Sequence, residues 1–264
     1  MARGRPFLPA VRLGATLASR GALFWVSAAL ALLLVLFFGT EALAFSRAGM
    51  SDGLLLLPGA CSSALVWGVG ILIAFSASSR ALRRDREEGI VALANARGVG
   101  RRYLAGRLAG LAVVIAAVCA GGTALVGLAC VLASRRLHVA GAELAATAGA
   151  VLYSVVASIT LATVAFAALG ARSRPGGYLR LVFVLLVPDL VARFLDGVVA
   201  DSWRELFSIP EALAALRGAR WPGSLDPGRF LRALFVVLLV LGVALLFARR
   251  ELSLASDTRE GEAS

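Results

Sequence analysis

Six apolar runs set the limits on what this chain can fold into. They lie at about 22–39, 58–77, 104–132, 143–169, 179–199 and 230–248. A helix needs ~20 apolar residues to cross the hydrocarbon core of a bilayer. Inside lipid the backbone must satisfy its own hydrogen bonds, which a helix does within a single segment. The runs therefore predict an all-α polytopic membrane protein with six transmembrane helices. Composition agrees: 59% of the residues are hydrophobic and 16% charged, far from the balance of a soluble domain. The fifth run differs from the others, because it carries Pro188, Asp189 and Arg193 and merges into the connection that follows.

All 27 basic residues are arginine, and the net charge is +11. A nucleic-acid binder would need a soluble basic face with interleaved aromatics, and the sequence has none. The arginines instead cluster between apolar runs. Sixteen fall before the first run, in the 80–102 and 172–180 connections and just after the sixth run. The short connections of the opposite side hold only Arg47, Arg135 and Arg136. The positive-inside rule then places both termini in the cytoplasm. Trp25, Tyr103 and Tyr178 fall at the predicted cytoplasmic ends of spans, where amphipathic rings suit the interface, and Trp203 and Trp221 fall in the outer connection. Ala42-Leu43-Ala44 has the form of a signal-peptidase site, but the apolar run before it is longer than a usual signal core, which favours a retained span. Cys61, Cys119 and Cys130 all lie in apolar runs and read as small buried hydrophobes. With His138 the only histidine, no metal-ligand set is predicted.

Segments outside the runs are also patterned. Residues 9–20 place Arg12, Thr16 and Arg20 on one side and Ala10, Leu13 and Leu17 on the other, predicting a short N-terminal interfacial helix. In the 200–229 connection, Ser208 and Glu211 are spaced as the N-cap and N3 residues of a capping box, and Gly218 is placed to stop the helix. Short outer helices before the last span are expected there. Gly106 and Gly110 form a GxxxG pair, a spacing that lets helices approach closely. The expected organisation is one six-span membrane domain over 1–250 and a polar cytoplasmic tail over 251–264.

The stretch Arg80–Arg107, RALRRDREEGIVALANARGVGRRYLAGR, interrupts the second and third runs with mixed charge. Arg83 and Glu87 are four apart, as are Arg84 and Glu88, a spacing that supports a helix by a few tenths of a kcal/mol per pair. Ile90, Leu93 and Ala94 continue the helical rhythm to Arg97, and Gly98 offers a stop. The reading is one short cytoplasmic helix held on two membrane helices.

Arg86-Glu87-Glu88-Gly89, followed by Leu93, Val99, Arg101-Arg102 and a closing Gly106-Arg107, resembles the signature of type-2 ABC transporter permeases. Members of that family show an R-E-x-E-x-G-like start and a basic-basic-x-x-x-G-K-like close. Gly98 stands where the family often has Pro, and Arg107 where it often has Lys. The resemblance implies a coupling helix that docks into an ATPase subunit, with Arg84, Arg86, Glu87, Glu88, Gly89, Leu93 and Arg97 as docking residues. It implies a cytoplasmic ATPase dimer and a second permease copy or paralogue as partners. It also implies a multi-pass location in a bacterial inner membrane, and an exporter as the assembly. The chain itself has no Lys for a Walker motif, so ATP and Mg²⁺ would be bound by the partner, and no cofactor is expected in this chain.

Asp189 and Arg193 are one helical turn apart and could line a substrate path or gate, or could lie beyond a helix break at Pro188. Asp189, Asp196 and Asp201 also suggest a metal-dependent phosphotransferase, but their spacing departs from the phosphatidyltransferase signature. A mechanotransmission or accessory membrane subunit is the other class that the spans allow.

Overall fold

The computed structural model describes residues 7–134, 140–169, 183–185, 187–194, 206, 208–218 and 227–260. Among these residues every regular element is helical. In chain order they are α1 (Phe7–Ser19), α2 (Ala22–Ala48), α3 (Ser51–Ala64), a π-helical segment (Leu65–Gly70), α4 (Ile71–Glu87), α5 (Ile90–Ala96) and α6 (Gly100–Ser134). They are followed by α7 (Ala140–Leu169), α8 (Val187–Phe194), α9 (Ile209–Gly218) and α10 (Pro227–Glu260).

Among the described residues, four helices are long and apolar enough to cross a membrane: Ala22–Ala48, Ser51–Ser78, Gly100–Ser134 and Gly141–Ala168. They coincide with the first four apolar runs. About half of the fifth run lies outside the described residues, with helix at 183–185 and Val187–Phe194. The sixth falls within α10, whose described apolar stretch is Phe230–Leu246. α10 continues past Arg250 into the polar tail, to Glu260.

α6 is the hub of the bundle. It packs most extensively on α7, then on α1, α2 and α3. α7 is the most enclosed span, and α2 is the least, leaving Leu32, Leu33, Leu36 and Phe37 exposed on one flank. Apolar surface of that extent suits lipid rather than water. The core joins Leu54, Leu65, Val69 and Ile73 to Ile115, Cys119, Ala157 and Leu161. All three cysteines are buried and free, as their apolar settings predict.

The second span is one rod from Ser51 to Glu87, interrupted by the π-helical segment. There the Ile71 N–H reaches back five residues to the Val66 carbonyl. Such bulges are rare and recur at functional positions. Within it the Trp67 indole N–H donates to the Tyr153 hydroxyl of α7 at 3.0 Å. Nearby, the Thr123 and Ser154 hydroxyls lie 3.1 Å apart, tying α6 to α7. In a dry interior each such group needs a partner, so these pairs fix how the helices face one another.

Candidate functional site

The charged interruption between the second and third spans folds into a compact turn built on glycine. α4 ends at Glu87, and Gly89 follows with φ 71°, in the left-handed region. α5 then runs only from Ile90 to Ala96. Gly98, at φ 68°, closes it: its N–H donates to the Asn95 carbonyl and the Val99 N–H to the Ala94 carbonyl. This pair of bonds is a Schellman stop. The helix expected from Arg84 to Arg97 is therefore two pieces. Gly89 breaks it, leaving Arg84, Arg86 and Glu87 on the end of α4 and Leu93 on α5.

α5 is seated by Val91 and Ala94, three residues apart and both buried. The opposite face is open: Leu93 is 55% exposed, and Asn95, Ala96 and Arg97 are exposed beside it. Glu88 is exposed at the preceding turn. Of the expected docking residues, Glu88, Leu93 and Arg97 thus share one projecting tip. The side chains of Arg84, Arg86 and Glu87 lie outside the described residues.

Beneath that tip lies a contact that spacing alone did not reveal. Asp85, near the end of α4, and Arg107, in the second turn of α6, are each only 2% exposed. The Arg107 Nε donates to Asp85 Oδ2 at 2.9 Å, and its Nη2 donates to Oδ1 at 3.0 Å. The Tyr103 hydroxyl donates to the same Oδ2 at 2.9 Å. A two-pronged guanidinium–carboxylate pair fixes direction as well as distance. Asp85 accepts three hydrogen bonds here, which is what a desolvated carboxylate requires. The pair fastens the last turn of α4 to the start of α6 and holds α5 between them.

α1 closes the other side of this joint. Its buried residues are Ala10, Gly14 and Ala18, one turn apart. They lie against the Gly106–Gly110 pair of α6. A Cβ on Gly14 would come within 2.7 Å of the Arg107 carbonyl oxygen, and one on Gly106 within 2.6 Å of the Ala10 Cβ. The partner of the GxxxG pair is thus the N-terminal helix. This changes the expected facing of α1, since its small residues pack inward while Leu8 and Leu13 are exposed.

Asp189 sits in the first turn of α8, and its Oδ1 accepts a hydrogen bond from the Ser208 hydroxyl at 2.8 Å. The Ser208 oxygen in turn accepts the Glu211 N–H at 3.3 Å, capping α9 at the residue the sequence indicates. The Arg193 side chain, Asp196 and Asp201 lie outside the described residues. Among the described residues no group of three or more His, Cys, Asp or Glu could hold a metal.

The four long apolar helices define a membrane-embedded, multi-pass helical protein. No family model and no curated protein matches the chain.

Proposed function

We propose that this chain is the membrane-spanning permease subunit of a type-2 ABC exporter, with α5 as the element that a separate ATPase subunit grips. The observation that carries the reading is the exposed tip of Glu88, Leu93 and Arg97 set on a buried, two-pronged ion pair. An apolar centre with a polar, charged rim is the usual anatomy of a protein–protein contact. A push on α5 would pass through Asp85 into α4 and through Arg107 into α6, the helix that packs on most of the bundle. The resemblance of 84–107 to the permease signature supports the same assignment.

In this reading the apolar stretches within 179–199 and 230–248 complete six spans, with both termini in the cytoplasm of a bacterial inner-membrane protein. The ATPase dimer binds ATP and Mg²⁺, a second permease copy or paralogue completes the pathway, and substrate moves outward. Asp189 sits near that pathway's outer end. The test is to introduce Glu88→Arg and, separately, a photocrosslinking residue at Leu93, and to purify the chain with each Walker-containing ATPase subunit co-expressed from its host. Loss of co-purification in the first and a crosslink to the ATPase in the second are expected. Unchanged co-purification with no crosslink would overturn the assignment.

A further inference from the structure

At the opposite end of α6 from Asp85, about 35 Å away at 1.5 Å per residue, the bundle encloses a carboxylate that nothing above uses. Glu143 lies in the first turn of α7 and is 0% exposed. Neither of its carboxylate oxygens has a hydrogen-bond partner among the described residues, and the same is true of the buried Thr147 hydroxyl. Four residues apart on one helix, the two side chains share a face. That face meets α6. The Thr147 hydroxyl oxygen lies 2.6 Å from where a Cβ on Gly127 would stand, and Glu143 is near enough to Cys130 to interact with it electrostatically. Gly127 and Cys130 are themselves one turn apart, so the two faces are in register. The missing side chain at Gly127 is what makes room for the cluster.

A buried ionised group is normally paired, hydrogen-bonded or used as a ligand. Glu143 and Thr147 offer three oxygens without hydrogen-bond partners among the described residues, hard acceptors of the kind that suit alkali and alkaline-earth ions. The last turn of α6 adds to it, because a helix C-terminus carries partial negative charge and favours a cation. A single carboxylate balances a single positive charge.

We propose that Glu143 and Thr147, seated in the cradle left by Gly127, bind a monovalent alkali cation where the α6 C-terminus meets the start of α7. The site stands independently of any ATPase docking at α5. It is tested on the full chain in detergent by following thermal unfolding in NaCl, KCl and LiCl against choline chloride at one ionic strength. One alkali ion is expected to raise the midpoint by a few degrees, saturably, as a ligand that binds only the folded state does. Glu143→Gln and Thr147→Val should each remove that rise. Arg135→Gln with Arg136→Gln should keep it. The absence of any alkali-specific rise in the unaltered chain overturns the proposal without recourse to a variant. So does an equal rise in Glu143→Gln, or a rise produced by acidification in choline alone. Loss of the rise in the arginine double variant would show that the ion effect acts through Arg135 or Arg136 rather than at Glu143, and would overturn it as well.

Discussion

Arg107 grips Asp85 with two nitrogens, 22 residues away in sequence, and the side chains of both are at most 2% exposed. A polar loop between two spans could sit anywhere in the headgroup region. This pair gives the loop one position, because each charge is desolvated and finds its ionic partner in the other. Breaking such a pair from one side costs about 3–5 kcal/mol, while replacing both ends with apolar groups is often near neutral.

Asp85→Asn is therefore expected to destabilise the chain by about 3 kcal/mol or more by leaving a guanidinium buried opposite a neutral amide. Asp85→Leu with Arg107→Met should recover much of the loss. Unfolding in mixed micelles would give the double-mutant cycle. Additive losses would mean that the two residues do not act as a unit.

The seat of α1 yields a second expectation. A Cβ at Gly110 would run into the Val11 carbonyl oxygen and would lie 2.8 Å from the Ala15 backbone nitrogen. Backbone cannot turn aside as a side chain can. Gly110→Val should lift α1 from α6, at about 1–3 kcal/mol for the overpacking. Thermal unfolding in detergent would report it, and a Gly110→Val midpoint equal to that of the unaltered chain would contradict it.

Gly89 holds φ 71°, with nothing within 4 Å of a built Cβ. Space is thus no obstacle there, and only backbone conformation opposes a side chain. Gly89→Val should cost about 1–2 kcal/mol, and Gly89→Asn distinctly less. Equal effects from Val and Asn, measured by thermal unfolding, would contradict the conformational account.

Topology can be read with two single cysteines, since Cys61, Cys119 and Cys130 are buried and should stay silent. Asn95 and Glu211 are exposed, whereas Ala215 on the same helix as Glu211 is only 4% exposed and would label poorly. Asn95→Cys should react with an impermeant maleimide only from the cytoplasmic side, and Glu211→Cys only from outside. The reverse pattern would invert the proposed orientation.

Much of this architecture is legible in the sequence because burial in lipid imposes length and apolarity on a single segment. That is why the first four runs coincide with long helices and why all three cysteines are interior. Local chemistry is legible for the same reason: Gly98 stops α5 and Ser208 caps α9 through bonds to residues at most five positions away. Gly89 was visible as a motif residue, but its left-handed break was not separable from continued helix while the flanking residues all favoured helix.

What only the tertiary structure decided is which distant residues meet. The sequence alone determined a membrane-embedded helical chain with a mixed-charge turn between its second and third apolar runs. It could not show that Asp85, rather than any of the neighbouring charges, turns inward to Arg107, or that the GxxxG pair receives α1 instead of another span. Nor could it show that Glu143 is sealed against α6. Helix periodicity fixes the face on which a side chain lies, while the packing of that face against another helix decides whether its charge is solvated, paired or left to bind something else.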